Sequence, residues 1–77
     1  MEEVLRIVAK ALIEDEEAFE IVTKEEQGNL TLLLRVREEK IGRVIGRQGR
    51  VARAIRTIVR SASTSNCRIM VDIEPMG

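Results

Sequence analysis

The chain has 77 residues, with 13 Lys and Arg balancing 13 Asp and Glu, so its net charge at pH 7 is zero. A chain this short buries only about 60–65% of its unfolded surface, which fits one domain, residues 1–77, with a thin core. No apolar run approaches ~18 residues, MEEVLRIVAK lacks a signal-peptide pattern, and a lone Cys67 with no His leaves no disulfide or zinc site. The expectation is a cytoplasmic protein with no membrane segment, no metal and no cofactor.

Glu2 to Ile13 reads as a helix in which Val4, Leu5, Ile7, Val8, Ala11 and Leu12 form one apolar stripe, with Glu2 and Glu3 well placed in the first turn. The acidic run Glu14-Asp15-Glu16-Glu17 ends it as a solvated loop. Ala18 to Lys24 is a strand by its β-branched and aromatic content, with Phe19 and Ile21 on one face. Glu25 to Asn29 is a turn, where Gly28 is free to take positive φ. Leu30 to Arg37 is the second strand. Leu30, Leu32, Leu34 and Val36 alternate inward, and Leu33 is a single exposed apolar residue on the other face. The short connection makes these two strands an antiparallel hairpin.

Glu38 and Glu39 open a helix whose apolar residues Ile41, Val44 and Ile45 share one face. Gly42 lies inside it at a cost of about 1 kcal/mol against Ala, so something is expected to approach closely there, either the next helix or a nucleotide. Gly46 sits where this helix ends, in the left-handed conformation that glycine takes without penalty. Arg47 and Gln48 project outward, and Gly49 opens the next helix, its missing side chain admitting another backbone. In that helix Val51, Ala54, Ile55, Ile58, Val59 and Ala62 span about 140° of arc and are expected to be core. Arg50, Arg53, Arg56 and Arg60 span the opposite ~120°. Residues 61–66 are mostly loop. Asn66 to Glu74 is the last strand, with Cys67, Ile69, Val71 and Ile73 inward, so that Cys67 is a small core residue. Pro75, Met76 and Gly77 form a frayed tail.

Neutral overall, the chain is strongly polarised. Residues 35–60 hold nine basic and two acidic residues, a net of +7, against −6 over residues 1–34 and −1 over residues 61–77. Only Arg43 has an acid one helical turn away, Glu39; from Arg47 to Arg60 there is none, so these arginines are not helix salt bridges. A basic segment centred on a glycine turn and a helix N-terminus suits a phosphate. An enzyme is disfavoured: there is no His, no nucleophile beside a base, and GRVIGRQG lacks the Gly-Lys-Ser/Thr ending of a P-loop.

The element order is α-β-β-α-α-β. The last strand returns after a two-helix crossover, which permits a parallel pairing with the hairpin. The expected fold is α+β, a three-stranded mixed sheet with three helices on one face. Val44-Ile45-Gly46-Arg47-Gln48-Gly49-Arg50-Val51-Ala52 resembles the VIGxxGxx(I/V) signature of a KH domain, and the element order resembles its type II, prokaryotic form. The likeness covers almost the whole chain and resembles the small free-standing KH proteins of bacteria. It implies an RNA-binding, RNA chaperone-like protein whose GxxG loop clamps single-stranded RNA. The groove floor would be Ile41, Val44, Ile45, Ala52 and Ile69, with phosphates on Gly46 to Gly49 aided by Arg47, Arg50, Arg43 and Arg53. Ala52 departs from the usual Ile or Val and makes one groove wall shallower. The resemblance further implies a homodimer and pairing with a larger KH-containing RNA-binding protein. A second reading is an adaptor of KH fold that acts mainly through that pairing. Single-stranded DNA remains open beside RNA.

Overall fold

The structure, a computed structural model, describes residues 2–62 and 68–76. Its elements are α1 (Glu2–Ile13), β1 (Phe19–Glu26), β2 (Asn29–Arg37), α2 (Glu38–Ile45), α3 (Arg50–Ala62) and β3 (Arg68–Met76). Two single 3-10 turns, Glu16–Ala18 and Arg47–Gly49, join α1 to β1 and α2 to α3. The sheet order is β1-β2-β3. β1 and β2 are antiparallel, with Phe19 opposite Val36 and Glu26 opposite Asn29. Only Gln27 and Gly28 remain between them, at φ 48° and 81°. A two-residue hairpin whose twist matches its strands needs positive φ at both central positions. β2 and β3 are parallel, with Leu32 opposite Val71. This mixed sheet with its three helices is the α+β arrangement of a type II KH fold.

The helices pack on one face of the sheet. Leu5, Ala9 and Ile13 of α1, Val44 of α2, and Ile55 and Val59 of α3 meet Phe19, Leu32, Leu34, Val36, Ile69 and Val71 in a single buried cluster. Each large aliphatic side chain fully withdrawn from water contributes roughly 1.5–3 kcal/mol. On the opposite face Arg35 ties the three strands together. Its Nη1 donates to Glu20 Oε1 on β1 at 2.8 Å, and its Nε lies 3.0 Å from Glu74 Oε1 on β3, an ion pair not aligned as a hydrogen bond. Glu20 and Glu74 both stand level with Arg35 in the two registers, so one side chain reaches both.

Several expectations need correction. Ala18 closes the first 3-10 turn, capped by Asp15 Oδ1 accepting from the Glu17 N–H at 3.0 Å, and the first strand runs on to Glu26. The last strand reaches Met76, with Pro75 beside Val36 and Met76 beside Arg37, so these two are no frayed tail. Pro75 has the same parity as Val71, whose carbonyl faces the free edge of β3; its missing N–H therefore falls on that edge, and no ladder bond is lost. Leu33 is half-buried, and its partner across the strands, Val22, is also apolar, so Leu33 is not a lone exposed residue. Cys67 and Asn66 lie outside the described residues.

Both apolar helix faces are wider than the core they meet. On α1, Ala9 and Ile13 are buried, whereas Ile7 is 70% exposed and Ala11 is exposed. On α3, Ala52 joins Ile55 and Val59 inside, whereas Ala54 is exposed and Ile58 is 46% exposed. The surplus residues line an open groove of about 450 Å³ between α1 and α3, with Ile7 and Ala11 on one wall and Val51, Ala54 and Ile58 on the other.

Candidate nucleic-acid interface

α2 carries Glu38 and Glu39 in its first turn and Arg43 in its last, both in accord with the helix dipole. It ends at Gly46, whose N–H donates to the Gly42 carbonyl at 3.0 Å. Gly46 has φ 72° and ψ 179°, not the left-handed helical pair expected of it. That combination is open essentially to glycine alone. Space enforces the same choice. A Cβ at this position would overlap Val51 Cγ2, and would lie 2.9 Å from Val51 Cβ and 3.0 Å from its backbone nitrogen. The close approach anticipated in this stretch thus occurs at Gly46. At Gly42 and Gly49 nothing lies within 4 Å of the place a Cβ would take, so neither admits a neighbouring helix or backbone. Gly49 is needed for its φ of 74°, and it closes the 3-10 turn instead of opening α3.

The turn itself is tightly held. The Gly49 N–H donates to Gly46 O at 3.3 Å, the Arg50 N–H donates to Arg47 O, and Arg53 Nη2 donates to Gln48 O at 3.4 Å. Gln48 sits at φ 55°, ψ 25°, a left-handed conformation that costs a non-glycine residue about 1–2 kcal/mol. It pushes the 47–48 pair outward from the two helices. Arg47, Gln48 and Arg50 line a surface concavity of about 420 Å³.

The anticipated binding residues divide in two. Arg43, Arg47, Gln48, Arg50 and Arg53 are exposed around the turn, Gly46 and Gly49 are half-buried, and Ile45 is 37% exposed with Ile41 half-buried beside it. Val44 is wholly buried and Ala52 is 6% exposed, so these two support the floor from beneath and offer little surface to a ligand. Among the described residues, the ion pairs engage Arg6, Lys10, Lys24 and Arg35. Arg43, Arg47 and Arg50 have no such partner; Arg43 leaves Glu39 unpaired. Their charge is available to an anion from outside.

Arg56, one of the four residues on the arginine arc of α3, has a defined position. It is half-buried, and its Nε donates to the Val71 carbonyl on β3 at 3.0 Å. No sequence signal marks this contact, because the two residues meet only through the parallel return of β3.

A family described as KhpA/KhpB, KH domain, matches residues 2–73. The chain is 38% identical over 74 residues to the RNA-binding protein KhpA of Caldanaerobacter subterraneus subsp. tengcongensis, covering 95% of this chain and 99% of that protein. It is 42% identical over 66 residues to the RNA-binding protein KhpA of Listeria monocytogenes serovar 1/2a, covering 86% of this chain and 87% of the relative. It is 37% identical over 73 residues to the RNA-binding protein KhpA of Treponema pallidum, covering 94% and 91%. No solved structure matches the chain.

Proposed function

The chain belongs to the KhpA/KhpB family of KH domains, and from that premise we propose that it is a non-catalytic, RNA chaperone-like protein of the cytoplasm that clamps short single-stranded RNA at Gly46–Gly49. The observation that carries the reading is the turn itself. A strained, glycine-dependent loop is held outward at the start of a helix, with Arg43, Arg47 and Arg50 around it and free of internal ion pairs. Phosphates lie on the loop and helix N-terminus, and bases lie on Ile41 and Ile45. With Phe19 the one aromatic residue, and buried, no base-stacking platform is available, so one domain binds weakly. With about three phosphates contacted, log K falls with log salt at a slope near −2. Measuring RNA affinity across a salt series tests this; a slope near zero contradicts a phosphate clamp.

Weak single-domain affinity is raised when two domains act together. We propose self-association, and pairing with a larger KH-containing RNA-binding protein, as part of the function. What supports it is the apolar groove between α1 and α3, with Ile7 and Ile58 in water. The same groove favours a second reading, an adaptor that acts through protein pairing while the loop stays idle. RNA titration separates the two, since the adaptor alone binds none.

A further inference from the structure

The sheet has two edges, β1 and β3, and they are finished differently. On β3 the Val71 carbonyl is taken by Arg56 Nε at 3.0 Å, and Pro75 has no N–H to offer, so the row of backbone groups is interrupted twice. On β1 nothing comparable occurs. All eight residues from Phe19 to Glu26 pair with β2 without a bulge, and no proline falls among them. Among the described residues no side chain bonds to the backbone of this strand. A two-residue hairpin closes on a hydrogen-bonded pair, here Glu26 with Asn29, and such pairs alternate along the ladder. The even residues of β1 therefore bond to β2. Phe19, Ile21, Thr23 and Glu25 turn their N–H and C=O groups to the open edge.

On the sheet face away from the helices β1 presents Glu20, Val22 and Lys24, with Val22 45% exposed. A strand added antiparallel to this edge fits best with an acid against Lys24, an aliphatic residue against Val22 and a base against Glu20. Read in its own chain direction, that strand is acid, aliphatic, base at alternate positions, which is the pattern of β1 itself. The edge is complementary to a second copy of itself. With a two-fold axis at Val22, Glu20 faces the partner's Lys24, and Val22 faces the partner's Val22. The outward backbone groups then meet in register, Ile21 with the partner's Thr23 and Phe19 with the partner's Glu25. Moving the axis by one residue removes the match. At Thr23 it sets Glu20 against Glu26, and at Ile21 it sets Glu20 against Val22 and Lys24 against Ala18. At Glu20 or Lys24 it sets like charges together. Charge thus selects one register. Within one copy Glu20 holds Arg35 through Oε1 at 2.8 Å, and Lys24 holds Glu26 at 3.2 Å. Glu20 Oε2 and two N–H groups of Lys24 remain for the partner.

We propose that the β1 edge is a second self-association surface, separate from the α1–α3 groove, on which two copies join antiparallel about Val22 into one six-stranded sheet. No residue lining the groove belongs to β1, so both surfaces can be occupied at once and pairs extend into chains of copies. The edge supplies backbone bonds, two charge pairs and one Val pair, so on its own it joins copies transiently. It gains from copies already held together. The inference does not depend on RNA being bound.

The test is disulfide capture. Val22→Cys is made together with Cys67→Ser, so the chain holds a single cysteine. At the two-fold axis the paired Cα atoms lie about 4.5 Å apart, within reach of a disulfide. Mild oxidation at high micromolar concentration is expected to give a covalent dimer on a non-reducing gel. Adding Glu20→Lys, or Lys24→Glu, sets like charges at both ends of the seam and is expected to lower the yield roughly fivefold. An equimolar mixture of these two proteins is expected to restore it, because the altered edges match each other. Glu26→Cys in place of Val22→Cys is expected to give little dimer, since the two copies of position 26 lie eight residues apart along the seam. Ile7→Glu is expected to leave the capture unchanged, so failure of the groove and failure of this edge are read separately. Circular dichroism checks that each variant is folded. No covalent dimer from Val22→Cys overturns the inference. So does a yield that neither charge change lowers or that Glu26→Cys equals, which is random collision, and so does a mixture that fails to recover.

Discussion

Three glycines of the signature region stand in three different situations, and replacing each by alanine separates them. At Gly42 a Cβ meets nothing within 4 Å, inside a regular helix. Gly42→Ala thus gains helix propensity of about 0.8–1 kcal/mol without strain. In a domain of this size that raises the melting temperature by roughly 4–8 °C. At Gly49 there is also open space, but φ is 74°, so Gly49→Ala costs about 1–2 kcal/mol of backbone strain. The melting point falls by roughly 5–15 °C. At Gly46 strain and overlap coincide. The φ of 72° with ψ 179° costs about 1–3 kcal/mol. The overlap with Val51 adds about 1–3 kcal/mol, because its backbone nitrogen, 3.0 Å away, cannot rotate aside as a side chain can. Together these take about 2–6 kcal/mol from a 77-residue protein whose total stability is roughly 4–12 kcal/mol. Thermal denaturation followed by circular dichroism reads the series. The expected order of stability is Gly42→Ala above the unaltered protein, then Gly49→Ala, then Gly46→Ala far below. If Gly42→Ala destabilises as much as Gly46→Ala, the reasoning from space and φ is wrong.

Two further predictions concern the helix faces. Ile55→Ala and Ile58→Ala make the same change three residues apart on α3, where Ile55 is 1% and Ile58 46% exposed; the first is expected to cost about 2–4 kcal/mol in chemical denaturation and the second under 1 kcal/mol, and equal costs contradict the packing of α3. Ile7→Glu puts a charge on a 70% exposed position in the α1–α3 groove. It is expected to leave the melting curve nearly unchanged while shifting sedimentation toward monomer; a dimer that persists removes this groove as the pairing surface.

Much of the architecture is legible in the sequence because its signals are local. The period-two alternation of Leu30 to Val36 and the two helix-period stripes each specify their own element. The glycine signature identifies the turn for the same reason. What escapes is set by distance in the chain or by competition for a small core. Ile7, Ala11, Ala54 and Ile58 have the spacing of core residues, but three helices on one three-stranded sheet cannot bury two wide stripes completely. Pro75 reads as part of a frayed tail, and only the edge position and parity of β3 let the strand run through it. The close approach expected at Gly42 falls at Gly46, because which glycine meets a neighbour depends on how α3 leaves the turn. Val44 and Ala52 belong to the signature yet face the core, so a motif match marks an element more reliably than it marks a contact surface. Arg56 finds Val71 only through the crossover, a partnership that periodicity along α3 cannot reveal.

The central claim is that the 46–49 turn holds RNA phosphates, and its most direct test replaces the exposed pair Arg47 and Gln48 by aspartate. Both glycines stay, and aspartate tolerates the left-handed backbone of position 48, so circular dichroism is expected to be unchanged. Titration of labelled single-stranded RNA into the two proteins is expected to show binding by the unaltered chain and its collapse in the Arg47→Asp, Gln48→Asp variant. Equal affinity in both, with the fold intact, contradicts the clamp and assigns any binding to the arginine face of α3 acting without the turn.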